Sequence, residues 1–279
     1  TVRVTDSGGL TYDETFTINV TNVNEAPTGA DVTITISEDT SHTLTTANFG
    51  FSDVDAGDSL SAVRIDTVPG AGSLTLSGST VTAGQVIALS DITAGNLVFT
   101  PAANANGTSY ASCTFSVRDS NNAYDSGPNL LTVNVTAVND APLLVPQGLT
   151  TNTSEGAVPI ASTVSTLIGT SVTDVDSGAL SGVAIFGMTG SGGTLEYSLD
   201  GTTWVSAGAL SSSSALLLRS TDQMRFTPDS NNGGTIQVSF RAWDQTTGSA
   251  GSKVDVSVTG GSTAFSSASD VASCTIASV

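Results

Sequence analysis

Apolar and polar residues alternate in short runs along almost the whole chain. Val32, Ile34 and Ile36 fall on one side of DVTITI, and the same two-residue period recurs in SAVRIDTV, SLTL, QVIAL, NLVFTP, ASCTFSVRD and LLTVNVTAV. Residues two apart share one face of a strand, so each run predicts a strand with a buried face. Turn-forming residues separate the runs, and no stretch keeps a helical period for any length. Such a series predicts an all-β fold, built as a two-sheet antiparallel sandwich.

The pattern runs twice. TNVNEAP at Thr21–Pro27 returns as TAVNDAP at Thr136–Pro142, and Phe16–Pro27 matches Leu131–Pro142 at 8 of 12 positions. Proline fixes φ and has no N–H, so each of these seams ends a strand. The expected organisation is a closing hairpin of a preceding repeat at 1–27, a first whole sandwich at 28–141 and a second at 142–279, the sandwiches arranged end to end. The second carries insertions. Asp53 and Asp55 recur 121 positions on as Asp174 and Asp176, Asp119 recurs 125 on as Asp244, and Phe99 recurs 127 on as Phe226.

Three local expectations follow from this layout. TVRVTD and TFTINVTNV pair as the opening hairpin, which is marginal alone and so packs against a neighbouring domain or a second chain. LEYSLDGTTWV forms a hairpin with Asp200 and Gly201 in a two-residue turn. TGGSTAFSSAS, before the final strand DVASCTIASV, reads as a linker.

Charge narrows the function. Seven basic residues face 25 acidic ones, a formal net charge of −18. Most carboxylates therefore lack a cationic side chain as partner. The balance excludes a basic footprint for nucleic acid and opposes anionic membrane surfaces. No run approaches the ~20 apolar residues of a membrane span, and TVRVTDSGG lacks the charged and apolar regions of a signal peptide. Cys113 and Cys274 lie 161 positions apart in different repeats. Each is expected as a buried free thiol on an inward strand face.

The acids carry the candidate chemistry. If FSDVDAGDSL leaves its sheet as a strand, Asp53 and Asp55 present both carboxylates to one side. Asn24 and Glu25 arrive from the seam, and Asp119 closes the strand ending VRD. Three segments could thus deliver oxygen ligands to one place. The second seam repeats the set as Asn139, Asp140, Asp174, Asp176 and Asp244, with Glu38 a candidate from the far end of the first repeat. Calcium takes six to eight hard oxygens in flexible geometry, which such a composite site suits better than the octahedral demands of magnesium. The bland alternative is that the DVD sequence caps a turn by bonding its own backbone, and Asp58 is assigned to that role.

With these residues in view, the chain resembles cadherin repeats, and more closely the cadherin-like repeats of very large secreted bacterial adhesins of the RTX type. The carriers are VNEAP and VNDAP, SDVDAGD and TDVDSGA, the SED and SEG acids, and VTDSGG, VRDSNN and AWDQTTG at penultimate strand ends. The resemblance implies antiparallel Greek-key sandwiches joined end to end, whose junctions calcium rigidifies through Glu38, Asn139, Asp140, Asp174, Asp176 and Asp244, and likewise at the first seam. The Asp-Arg-Glu acids of animal cadherins are missing, so one or two ions per junction are expected instead of three.

The expected function is non-catalytic. Calcium-stiffened repeats would hold an adhesive tip away from a cell surface, with neighbouring repeats, other copies of the chain, or a cell-surface glycan or protein as partners. Two alternatives stand beside it. The chain could be a subunit of an extracellular filament or sheath assembled by inter-chain strand pairing, or a glycan-binding module using Tyr197, Trp204 and Trp243, although core packing explains each ring. Catalytic patterns fail on chemistry. Gly57-Asp58-Ser59-Leu60 spells a hydrolase motif, but the only histidine, His42, lies upstream of it. Read as an EF-hand loop, DVDAGDSLSAVR puts Arg64 where the bidentate glutamate is required.

Overall fold

The computed structural model describes residues 1–229 and 233–279. They form two compact units, Thr1–Thr136 and Ala137–Val279.

In the first unit a hairpin of β1 (Val2–Thr5) and β2 (Thr11–Glu14) precedes the sandwich. Its strands are β3 (Val32–Ser37), β4 (His42–Thr43), β5 (Ala62–Ile65), β6 (Ser73–Leu76), β7 (Ser79–Thr80), β8 (Gln85–Ala88), β9 (Leu97–Thr100), β10 (Gly107–Arg118) and β11 (Asn129–Thr136). One sheet has the order β3-β11-β10-β5-β8, the other β4-β9-β6-β7. The alternation seen in the sequence becomes the core. Ala111, Cys113, Phe115 and Val117 point inward from β10, and Leu131, Val133 and Val135 from β11. Phe115 meets Phe49 edge to face, with ring centroids 5.0 Å apart. Burying each such large side chain contributes about 1.5–3 kcal/mol.

The second unit keeps the plan and widens it. Its strands are β12 (Leu143–Leu144), β13 (Thr150–Ser154), β14 (Ser162–Thr163), β15 (Val172–Thr173), β16 (Gly182–Thr189), β17 (Gly193–Ser198), β18 (Val205–Ser206), β19 (Ala215–Arg219), β20 (Gln223–Pro228), β21 (Gly234–Trp243), β22 (Lys253–Val254) and β23 (Asp270–Ala277). The main sheet runs β13-β23-β21-β16-β19-β22 and faces β14-β20-β17-β18. Among the described residues helix is confined to single short turns, Leu89–Thr93, Val164–Ile168 and a 3-10 turn at Thr46–Phe49. No helix among the described residues is long and apolar enough to cross a membrane.

Each main sheet contains one parallel pair, β3 beside β11 and β13 beside β23. A tight hairpin forces its strands antiparallel, but here the first and last strands of a sandwich meet, and nothing in the connection fixes their direction.

Several local expectations need correction. The second N-terminal strand is Thr11–Glu14, not TFTINVTNV, and residues 15–27 carry no strand. Val2, Val4, Leu10, Tyr12, Phe16, Ile18 and Val20 are all exposed, so the hairpin is not packed against a domain of this chain. Its pairing rests on four residue pairs and the exposed Arg3–Asp13 ion pair. The Asp200 turn is longer than two residues, because the pairing resumes only at Tyr197 opposite Val205. Asp200 Oδ1 accepts from the Thr202 and Thr203 amides at 2.8 and 2.7 Å, which closes that larger loop.

The supposed linker is part of the core. Ala264, Phe265 and Ser266 are buried, and Phe265 bridges to Trp243 in a satellite cluster with Ala184, Ala215, Leu217 and Val256. Both cysteines are free thiols, yet only Cys113 is buried, and burial pushes its pKa up to about 11. Cys274 is half-buried.

Candidate metal sites

In the first unit the acids meet at the loop that follows the Thr28–Ser52 bridge. Asp53 and Asp55 are not on a strand. The Asp55 amide donates to Asp53 Oδ1 at 2.9 Å, so a turn capped by its own side chain brings the two together, in place of strand periodicity. Gly57, at φ 101°, completes that turn in a conformation that side-chain-bearing residues rarely adopt.

The seam wraps onto this loop. Asn22 Nδ2 donates to Asp55 Oδ1 at 2.9 Å, the Glu25 amide to Asp55 Oδ2 at 2.8 Å, and Asn24 Nδ2 to Asp119 Oδ2 at 3.0 Å. Asp119 follows β10 and is fully buried, its Oδ1 accepting from the Ala123 amide at 2.8 Å. All five acids and amides expected around the first seam, Asn24, Glu25, Asp53, Asp55 and Asp119, therefore belong to one hydrogen-bonded group.

The second unit builds the same links from its own residues. Asn139 Nδ2 donates to Asp244 Oδ2 at 2.8 Å, the Asp140 amide to Asp176 Oδ2 at 2.9 Å, and the Asp176 amide to Asp174 Oδ1 at 3.0 Å. Gly178, at φ 79°, matches Gly57. Asp244 follows β21, as Asp119 follows β10, and is also buried. Glu38 stands apart from the first unit's acids. It is buried after β3 and accepts from Asn106 Nδ2 at 2.9 Å.

Three participants were missed in the sequence. Asn22 and Asn121 hold acids in place, and Asp58 is more than a turn residue. One carboxylate oxygen from each of Asp53, Asp58 and Asp119 lies within 4.8 Å of the other two. The third acid in DVDAGD and the two asparagines of TNVN were the available signals.

The electrostatics leave negative charge uncompensated. The ion pairs Arg3–Asp13, Arg64–Asp66, Arg219–Asp222 and Arg225–Glu196 all lie outside the Asp53, Asp55, Asp119 and Asp174, Asp176, Asp244 sets. Glu25 has its pKa raised, chiefly by sharing a hydrogen bond with Asp55 and then by that group's charge. Asp55 is lowered, first by the Asn22 amide and then by the Glu25 N–H. Asp174 is raised, mainly by burial, with further contributions from the Asp176 and Asp244 charges.

Two matched atoms stand out. Asp53 Oδ2 and Asp174 Oδ2 are buried and meet no hydrogen-bond donor. Buried carboxylate oxygens are ordinarily satisfied, so a missing partner at the same place in both units fits a hard cation with oxygen ligands.

The aromatic residues offer no flat platform. Trp243 is buried with its Nε1 donating to the Thr247 carbonyl at 2.7 Å, and Tyr197 packs against the second unit's core. Trp204 is covered by the Arg225 guanidinium, 4.0 Å from its ring centroid, outside the core cluster expected to hold it.

A family model described as a cadherin-like domain matches residues 23–134. No curated protein matches the chain. Among solved structures, the EC1-2 fragment of human mucin-like protocadherin is similar at 12% identity, with 91% of this chain and 98% of that one covered and a TM-score of 0.41. Domains 3–6 of protocadherin gamma B2 give 15% identity, 98% and 57% coverage and a TM-score of 0.47. An endo-fucoidan hydrolase of glycoside hydrolase family 107 gives 15% identity, 99% and 33% coverage and a TM-score of 0.27. The chain is an all-β sandwich fold, cadherin-like over the stretch that the family model matches.

Proposed function

We propose that each unit binds calcium through its clustered acids and that the chain serves as a non-catalytic, calcium-rigidified spacer in an extracellular adhesion protein. The observation that carries this reading is the pair of buried oxygens, Asp53 Oδ2 and Asp174 Oδ2, each left without a donor inside the same hydrogen-bonded frame. Asn24, Glu25, Asp53, Asp55 and Asp119 would hold the ion in the first unit. Asn139, Asp140, Asp174, Asp176 and Asp244 would hold it in the second, and Glu38 is assigned to the second seam. Calcium supplies positive charge at these clusters, and the protein supplies oxygens already oriented by the seam. The VNEAP and VNDAP seams support a parent of the secreted bacterial adhesin type.

Seam residues carry the mechanical role. Asn24 and Asn139 tie each seam to a strand end, so a bound ion would add to a tether that already exists. Without the ion, carboxylates a few ångströms apart repel one another. Extracellular calcium modules bind at about 10⁻⁴ to 10⁻³ M. Calorimetric titration of the whole chain should therefore show calcium binding in that range, lost at the second unit in Asp174→Ala/Asp176→Ala. Small-angle scattering with calcium and with chelator tests rigidification. Identical scattering curves and melting temperatures in the two conditions would remove the calcium role.

A further inference from the structure

We infer that residues 245–263 form a strap that holds the second seam in place without a metal ion. The inference goes beyond the calcium reading above and stands whether or not an ion binds.

The strap is an insertion at one defined point. In the first unit the Asp119 amide donates to the Ala123 carbonyl at 3.0 Å, so only residues 120–122 separate the end of β10 from the residue it turns back onto. In the second unit the Asp244 amide donates to the Ala264 carbonyl at 3.2 Å in the same way, but residues 245–263 intervene. The neighbouring bridges also match, Arg118 with Tyr124 and Trp243 with Phe265. Only the connection differs.

The far end of this connection folds back onto the seam. The Gly260 amide donates to the Phe265 carbonyl at 2.8 Å, and the Thr263 hydroxyl to the Gly260 carbonyl at 2.9 Å, which closes a tight tip. Gly260 and Gly261, at φ 72° and 55°, permit that turn. From the tip the Gly261 carbonyl accepts from the Ala141 amide at 2.7 Å, and the Thr263 carbonyl accepts from Asn139 Nδ2 at 3.2 Å. Both acceptors are main-chain oxygens, which carry no charge to repel a neighbour. The base is fixed as well. Phe265 and Ser266 are buried, the Ser266 amide donates to the Ala242 carbonyl at 3.1 Å, and Ser266 Oγ accepts from the Ala242 amide at 2.9 Å.

The first seam has no counterpart to this tie. Ala26 corresponds to Ala141, yet it is exposed and its amide meets no acceptor among the described residues. The first seam's bonds to Asp55 and Asp119 end on carboxylates, which repel one another when no cation is present. The second seam makes such bonds too, and has the strap in addition.

Amide hydrogen exchange of the whole chain, followed by NMR in chelator, reads local opening residue by residue. The Ala141 amide should be protected, and the Ala26 amide should exchange near the rate of an open chain. Gly261→Val should speed Ala141 exchange about 5- to 30-fold, because a β-branched residue disfavours the left-handed conformation of the tip. Gly201→Val places the same side chain at φ 76° in the Asp200 loop, which makes no bond to the seam among the described residues, and should leave Ala141 unchanged. Thr263→Val removes the hydroxyl that closes the tip and should shift Ala141 in the same direction, so it carries the test if Gly261→Val does not fold. Ala141 exchanging as fast as Ala26 in chelator, or staying unmoved by the tip variants, overturns the strap. Adding calcium tests the other reading separately: if no amide of either seam then slows, the calcium reading falls while the result in chelator stands.

Discussion

The side-chain amide of Asn139 donates to Asp244 Oδ2 at 2.8 Å, joining a seam residue to the end of a strand 105 positions away. The same amide reaches the Thr263 carbonyl at 3.2 Å. Asn139→Ala removes the donor and leaves a buried carboxylate oxygen unmatched. The expected cost is about 1–3 kcal/mol. It should appear in urea unfolding as loss of the second unit's stability, with the first unit's transition unmoved. Asn139→Asp should cost more, since a third acid then faces Asp244.

Asp174→Asn should change sign with calcium. Burial raises the pKa of Asp174 in the folded chain, so its charged form opposes folding once pH exceeds the group's folded pKa. A neutral amide removes that opposition and should raise the melting temperature in chelator at neutral pH. Calcium at ten times its dissociation constant adds about 1.4 kcal/mol to a protein that binds it only when folded. The variant should lose that rise at the second unit. A variant less stable than the natural chain in chelator would contradict the account of Asp174.

Asp125 offers a pH test away from the seams. Its Oδ1 is buried without a donor, while Oδ2 accepts from Asn129 Nδ2 at 2.5 Å. Burial, and then the nearby Asp66 charge, raise its pKa above the usual carboxylate value. With the folded pKa above the unfolded one, the favourable contribution is present below the unfolded pKa and is lost as pH rises through the folded value. Asp125→Asn should therefore gain melting temperature over the natural chain, by an amount growing from pH 4 to pH 7. A constant difference across that range would show that Asp125 is not the titrating group.

Gly182→Ala should destabilise the second unit by about 1–3 kcal/mol. A Cβ at this position would lie 2.5 Å from the Leu218 carbonyl oxygen and 2.9 Å from a ring carbon of Trp243. The carbonyl is part of the β16–β19 ladder and has little room to move. Trp243 fluorescence during denaturation is the direct reading, and a midpoint within error of the natural chain would show that the strands yield.

Strand positions were legible in the sequence because the period of two is set by backbone geometry alone. All seven apolar runs of the first repeat became strands, and the Asn24, Asp55 and Asp119 group came together from recurrence alone. What failed was local conformation. Asp53 and Asp55 converge through a side-chain cap that only the folded turn reveals, and Asp58 was hidden among residues that suit an ordinary turn. TGGSTAFSSAS looked like a linker because small polar residues dominate it, although Ala264, Phe265 and Ser266 are buried. Composition averages over such a segment, whereas burial is decided one side chain at a time.

The parallel pairing of β3 with β11 has a mechanical meaning. Six consecutive residue pairs, from Val32 opposite Leu131 to Ser37 opposite Thr136, join the strand by which the chain enters the first sandwich to the one by which it leaves. Since both run the same way, tension on the two ends slides the strands lengthwise, and the whole ladder resists together where an antiparallel pair would unzip bond by bond. A module tugged from either side is thus clamped at the very strands that bear the pull.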